Sequence, residues 1–107
     1  MQPFAFSSPP KGSGKVGNQW TVTATVTGVP QGGSVVFGLT SPSEFVSGTG
    51  CTVSPDKQTL TCTPGSTGSF TVTFQAKLPG NPGEQHGSLT AAVVGDATRS
   101  ASAAITG

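Results

Sequence analysis

The sequence predicts an all-β protein, an antiparallel β-sandwich of about seven to eight strands. Three observations predict it. Thr and Val are abundant while Leu, Met and the long charged residues are scarce, so intrinsic preference favours strands over helices throughout. Apolar residues alternate with hydroxylated ones at period two over long stretches. Gly and Pro, 16 and 9 of the 107 residues, cluster between those stretches at short intervals. A single open sheet would leave one apolar face in water, so the strands are expected to stack as two sheets in one domain spanning residues 1–107. No internal repeat is visible, which argues against a solenoid or propeller.

Composition alone lies close to disorder. Leu, Ile, Val and Phe total 22 residues, near the floor of about 20% below which highly charged chains stay unfolded. The net charge is only +1, however, so self-repulsion does not hold the chain open. Regular alternation decides in favour of a fold.

The elements follow in order. Phe4 and Phe6 mark a short first strand, and Pro9-Pro10 to Gly17 reads as a polar loop. From Trp20, the residues Trp20, Val22, Ala24 and Val26 alternate with Thr21, Thr23, Thr25 and Thr27, giving a strand with one apolar and one hydroxylated face. Val29 to Gly33 is a connection to a strand over Ser34 to Leu39, and Phe45 with Val46 marks another. Pro64 to Gly68 is a tight turn before the second long alternation: Phe70, Val72, Phe74, Ala76 and Leu78 oppose Thr71, Thr73, Gln75 and Lys77. Pro79 to Gly87 reads as a longer loop. Leu89 to Val94 and Ala101 to Ile105 then form strands joined at Gly95-Asp96, a pair suited to a hairpin turn with positive φ.

Cys51 and Cys62 carry the most specific local information. Folding the intervening segment as a symmetric hairpin about Asp56 and Lys57 places Val53 opposite Leu60 and Cys51 opposite Cys62, all four on one face. Directly opposed side chains have Cβ atoms about 4.5–5.5 Å apart, close enough for a disulfide with modest adjustment. The register therefore predicts the bond, and the bond implies an oxidising compartment. Metal binding would need more Cys or His than the chain contains, and a redox pair would sit closer, as Cys-x-x-Cys. Residues 1–30 show no basic segment followed by an apolar one, so no signal peptide is read there. The expectation is a piece excised from a larger extracellular protein.

Several function classes are excluded or weakened. Five scattered cations make no basic stripe for nucleic acid. No apolar run approaches the roughly 20 residues of a membrane-spanning helix. The carboxylates Glu44, Asp56, Glu84 and Asp96 all fall in or beside predicted turns, with nothing to pair them across a cleft. His86 and Glu84 share a loop with hydroxyls nearby, and the better reading is a solvated loop histidine. A Ca²⁺ site would need about six to eight oxygens that no Asp-rich loop supplies. The sequence is thus read as a non-enzyme with no catalytic residue, metal or cofactor.

Three binding readings follow from the residues. Carbohydrate-binding sandwiches stack sugars on exposed aromatics, and the only Trp is Trp20, whose place in an apolar series makes it a core residue first and a ligand contact second. Threonine rows can order ice-like water, but the row from Thr21 to Thr27 on one strand is not a plane. An isopeptide crosslink lacks its parts: the only Asn residues are Asn18 and Asn81, and no Lys sits clearly on an apolar strand face.

The stretches Phe45-Val46-Ser47-Gly48-Thr49-Gly50-Cys51-Thr52-Val53, Leu60-Thr61-Cys62-Thr63-Pro64-Gly65 and Phe70-Thr71-Val72-Thr73-Phe74 resemble the conserved-repeat Ig-like domain of bacterial surface and secreted proteins. Trp20 to Thr27 is similar to that family's early strand. The resemblance covers about residues 15–105, with Gly28-Val29-Pro30 where an Asn-Gly turn is common and no Asn near the start of the strand from Leu89. It implies an Ig-like sandwich displayed outside the cell, often in tandem, without catalysis. The expected function is that of a non-enzymatic spacer or adhesion module, monomeric or in tandem, meeting a protein or glycan surface. The alternative is an accessory carbohydrate-binding module of a polysaccharide-degrading enzyme.

Overall fold

The computed structural model describes residues 4–7, 10–13, 19–30, 32–39, 43–48, 50–63, 68–78 and 85–106. They form ten strands: β1 (Ala5–Phe6), β2 (Lys11–Ser13), β3 (Gln19–Val29), β4 (Val35–Leu39), β5 (Glu44–Gly48), β6 (Cys51–Val53), β7 (Thr59–Cys62), β8 (Gly68–Lys77), β9 (Gln85–Val93) and β10 (Asp96–Thr106). The protein is all-β, with two antiparallel sheets packed together. Hydrogen bonds order the strands β5-β8-β3-β2 in one sheet and β10-β9-β4-β7-β6 in the other, with β1 also on β3. A single parallel pairing, Thr106 with Lys11, joins the two sheets between β10 and β2.

The count of seven to eight strands is corrected to ten. Lys11-Gly12-Ser13 carries no apolar alternation, so the sequence predicts polar loop where the structure has β2. It is a strand because β3 and β10 both offer it a backbone ladder, and its one inward residue, Gly12, is buried. β9 begins at Gln85, inside the segment read as loop, for a similar reason: Gln85 and Ser88 pair with Thr106 and Ala104. The rest of the loop from Pro79 lies outside the described residues, as does the turn at 64–67.

The alternations became the core. β3 turns Trp20, Val22, Ala24 and Val26 inward, and β8 answers with Val72, Phe74 and Ala76, paired so that Ala76, Phe74, Val72 and Phe70 stand opposite those four in turn. The facing sheet contributes Val35, Phe37 and Leu39 from β4, Leu60 and Cys62 from β7, Leu89, Ala91 and Val93 from β9, and Ile105 from β10. Aromatic rings pack within and between the layers: Phe45 of β5 meets Phe74 of the neighbouring β8 edge-on with centroids 5.1 Å apart, and Phe37 of β4 meets Phe70 of β8 across the sheets at 6.4 Å. Such pairs add about 0.5–1.5 kcal/mol beyond their area.

Both ends of the strand order are protected. β5 and β6 are consecutive in sequence, and the Phe45 N–H donates to the Lys57 carbonyl of the β6–β7 turn at 2.8 Å. β6 has only three residues and is held to β7 by the disulfide. Short, stapled and turn-covered edges leave little backbone free to recruit another chain.

Candidate functional site

The Cys51–Cys62 disulfide is present, in the register expected: Cys51 pairs with Cys62, Thr52 with Thr61 and Val53 with Leu60. The turn it closes is built from Ser54 to Thr59. The Lys57 N–H donates to the Ser54 carbonyl at 2.9 Å, and the Ser54 N–H to the Thr59 carbonyl at 3.0 Å. Asp56 accepts from the Ser54 hydroxyl and from the Gln58 N–H, and these two bonds hold its carboxyl below its ordinary pKa. Lys57 adopts the left-handed conformation at φ 60°. The turn reaches outward as well: the Gln58 carbonyl accepts from the Leu39 N–H at 3.0 Å, and the Gln58 side-chain amide donates to the Ser43 carbonyl at 2.8 Å.

Asp96 has the same kind of role in the β9–β10 hairpin, whose turn residue Gly95 has φ 84°. It accepts from the Thr98 hydroxyl at 2.6 Å and the Thr98 N–H at 3.1 Å, and pairs with Arg99 at 3.1 Å. The Thr98 hydroxyl is the first cause of its lowered pKa, with Arg99 adding to it. The Arg99 guanidinium also donates to the Gly28 carbonyl at 2.9 Å, tying β10 to the irregular end of β3. The two aspartates thus organise turns by accepting hydrogen bonds.

Trp20 has 1% of its surface exposed, so its ring belongs to the core and presents no stacking face to a sugar. The possible ligand contact that the sequence offers at Trp20 is therefore a core position. Glu84 lies outside the described residues, and of the His86 side chain nothing is described beyond its backbone place in β9. Among the described residues no three His, Cys, Asp or Glu side chains converge.

Among the described residues, two surface features stand out. The first is the outer face of the β2-β3-β8-β5 sheet. Thr23 stands between Lys11 and Thr73, Thr21 between Ser13 and Gln75, and Ser47 follows Gln75 on β5. The Thr25 and Thr71 hydroxyls bond one another at 2.9 Å. The threonine row of β3, considered from sequence as a single line, is therefore one line of a broader hydroxyl and amide surface. The second feature is a depression of about 150 Å³ at one end of that face, lined by Gln19, Glu44, Lys57, Lys77 and the Phe45–Val46 segment. Glu44 and Lys77 are cross-strand partners there. It is smaller than the roughly 300–1,000 Å³ of sites that enclose a small molecule. The membership of Lys57 was not legible in the sequence, because it depends on the turn folding back over β5.

No protein-family model matches the chain, and no curated protein is significantly similar to it.

Proposed function

We propose that this chain is a non-enzymatic Ig-like module of a bacterial secreted or surface protein, acting as a spacer or adhesion unit. The observation that carries the reading is topological. The N-terminal segment pairs antiparallel with β3 in one sheet and parallel with β10 of the other, so it is shared between the sheets in the manner of an Ig-like sandwich. The disulfide supports display in an oxidising, extracellular setting. The use of Asp56 and Asp96 as turn acceptors supports a structural role for the chain's few charges.

The carbohydrate-binding alternative draws on the hydroxyl and amide face of β2, β3, β8 and β5. A sedimentation assay with insoluble cellulose, chitin and peptidoglycan separates the two. The spacer reading expects the protein to stay in the supernatant with all three. Saturable depletion by one of them transfers the assignment to a carbohydrate-binding module.

A further inference from the structure

The depression beside the cysteine hairpin gathers charge in a chain that has little of it. The whole sequence carries five Lys or Arg and four Asp or Glu. Lys57 and Lys77 both line this hollow, against a single acid, Glu44, so its local balance is positive. Among the described residues the one ion pair is Asp96 with Arg99, so neither lysine is paired with Glu44. Asp56, next to Lys57 in the turn, is already engaged, accepting from the Ser54 hydroxyl and the Gln58 N–H.

Lys57 holds its place at a conformational cost. Among the described residues it alone of the non-glycines has a positive φ, 60°, in the region where a Cβ crowds the following carbonyl and glycine is at ease. Its backbone is fixed on both sides: its N–H donates to the Ser54 carbonyl at 2.9 Å, and its carbonyl accepts from the Phe45 N–H at 2.8 Å. The Cys51–Cys62 bond closes the hairpin that bears it. Residues kept in disfavoured backbone regions cluster at ligand clamps, where the side chain itself is needed. A glycine would make this turn with less strain and leave the hollow with one cation fewer.

The hollow opens onto the hydroxyl and amide face. Pairing sets Gln19, Lys77 and Glu44 side by side across β3, β8 and β5, and the next row along is Thr21, Gln75 and Ser47, all exposed. A volume of about 150 Å³ admits one charged substituent and does not enclose a sugar ring. A single carboxylate matches one net positive charge, whereas a phosphate dianion or a densely sulfated chain meets repulsion from Glu44. Phe45 is fully buried, so recognition there rests on charge and hydrogen bonds and not on ring stacking. The neighbouring hydroxyls and amides suit a ligand that carries hydroxyls beside its carboxylate.

We infer that the hollow is a docking point for an acidic polysaccharide, a uronate chain. One carboxylate seats between Lys57 and Lys77, and the hydroxyls of the adjoining ring meet Gln19, Gln75 and Thr21. The inference rests on the adhesion branch of the proposed function and names its partner.

The test is an NMR titration of the full 107-residue chain with a galacturonate tetrasaccharide, its neutral methyl ester and inorganic phosphate at matched ionic strength. The acidic tetrasaccharide should shift the amides of Lys57 and Lys77 saturably, the ester should not, and phosphate should bind more weakly. Lys57→Gly and Lys77→Gln should each weaken binding by roughly two- to fivefold, the scale of one exposed ion pair. Thermal denaturation should show both variants folded, with Lys57→Gly no less stable than the native chain. Equal or tighter binding of the ester or of phosphate, or an affinity that neither folded variant changes, would overturn the inference. Absence of galacturonate binding overturns it too, and leaves the spacer branch standing. Saturable capture by neutral cellulose or chitin in the sedimentation assay removes the module reading itself, whichever way the titration falls.

Discussion

Cys51 and Cys62 face one another directly across the β6–β7 ladder with their Cα atoms 4.3 Å apart, the spacing of a non-hydrogen-bonded antiparallel pair. Their bond closes a loop whose turn also holds the N–H groups of Leu39 and Phe45 through the carbonyls of Gln58 and Lys57. Reduction of the native protein should therefore loosen more than one hairpin. Urea denaturation with and without reductant is expected to show a loss on the order of 3 kcal/mol, the chain-entropy value for a loop of this length. A midpoint unmoved by reductant would mean that the hairpin contributes nothing as a cross-linked unit.

The turn contains its own test at Lys57, a non-glycine residue at φ 60°. A left-handed conformation costs an L-residue about 1–2 kcal/mol, partly offset by the greater unfolded-state freedom of glycine. Lys57→Gly should raise stability by about 0.5 kcal/mol, and Lys57→Val should lower it by at least as much, since β-branched residues resist this region. Thermal denaturation of the two variants checks the order, which should be Gly above Lys above Val.

Two glycines make opposite predictions from the same substitution. A Cβ built on Gly12 would sit 3.5 Å from the Trp20 ring, 3.6 Å from a Val22 methyl and 3.8 Å from Ile105, all ordinary contacts. Gly12→Ala is expected to stabilise by about 0.4–1 kcal/mol through a less free unfolded chain and added packing. A Cβ on Gly48 would come within 3.0 Å of both Leu60 methyls and 3.3 Å of the Cys51 Cβ. Leu60 is fully buried, and its two methyls would have to give way together, so Gly48→Ala should destabilise by about 1–3 kcal/mol. Urea midpoints measured on both variants decide the pair.

Asp56 and Asp96 both have folded pKa values below their ordinary 3.8. A depressed carboxylate contributes stability that is fully present above the unfolded value and is lost as pH falls through the folded one. The protein should thus lose stability below about pH 4, and an Asp56→Asn, Asp96→Asn double variant should lose less over the same interval. Because both carboxylates are solvent-facing, the effect is expected to be small and to shrink in high salt. Denaturation midpoints as a function of pH for the two proteins give the comparison.

Much of the fold was legible because hydrophobic periodicity recorded it. Trp20 to Val26 and Phe70 to Ala76 alternate in sequence and alternate inward in space. The cysteine hairpin was legible to the residue, since a two-residue centre admits one symmetric register. β2 was not legible, because a strand with a single inward glycine leaves no apolar signal and exists through the ladders of its neighbours. The surface was legible only in part. The threonine row of β3 was visible, but its continuation through Thr73, Gln75 and Ser47 depends on which strands pair, and that is set by long-range closure of the sheet.

The placement of Trp20 is where the module reading and the carbohydrate-binding reading part most sharply. The direct measurement is Trp20 fluorescence with acrylamide quenching, in the absence and presence of soluble fragments of cellulose, chitin and peptidoglycan. With Trp20 of β3 buried in the core, emission should be blue-shifted, weakly quenched and unmoved by any fragment. Red-shifted emission that acrylamide quenches readily, and that a glycan fragment protects, would place the ring at the surface and contradict the account.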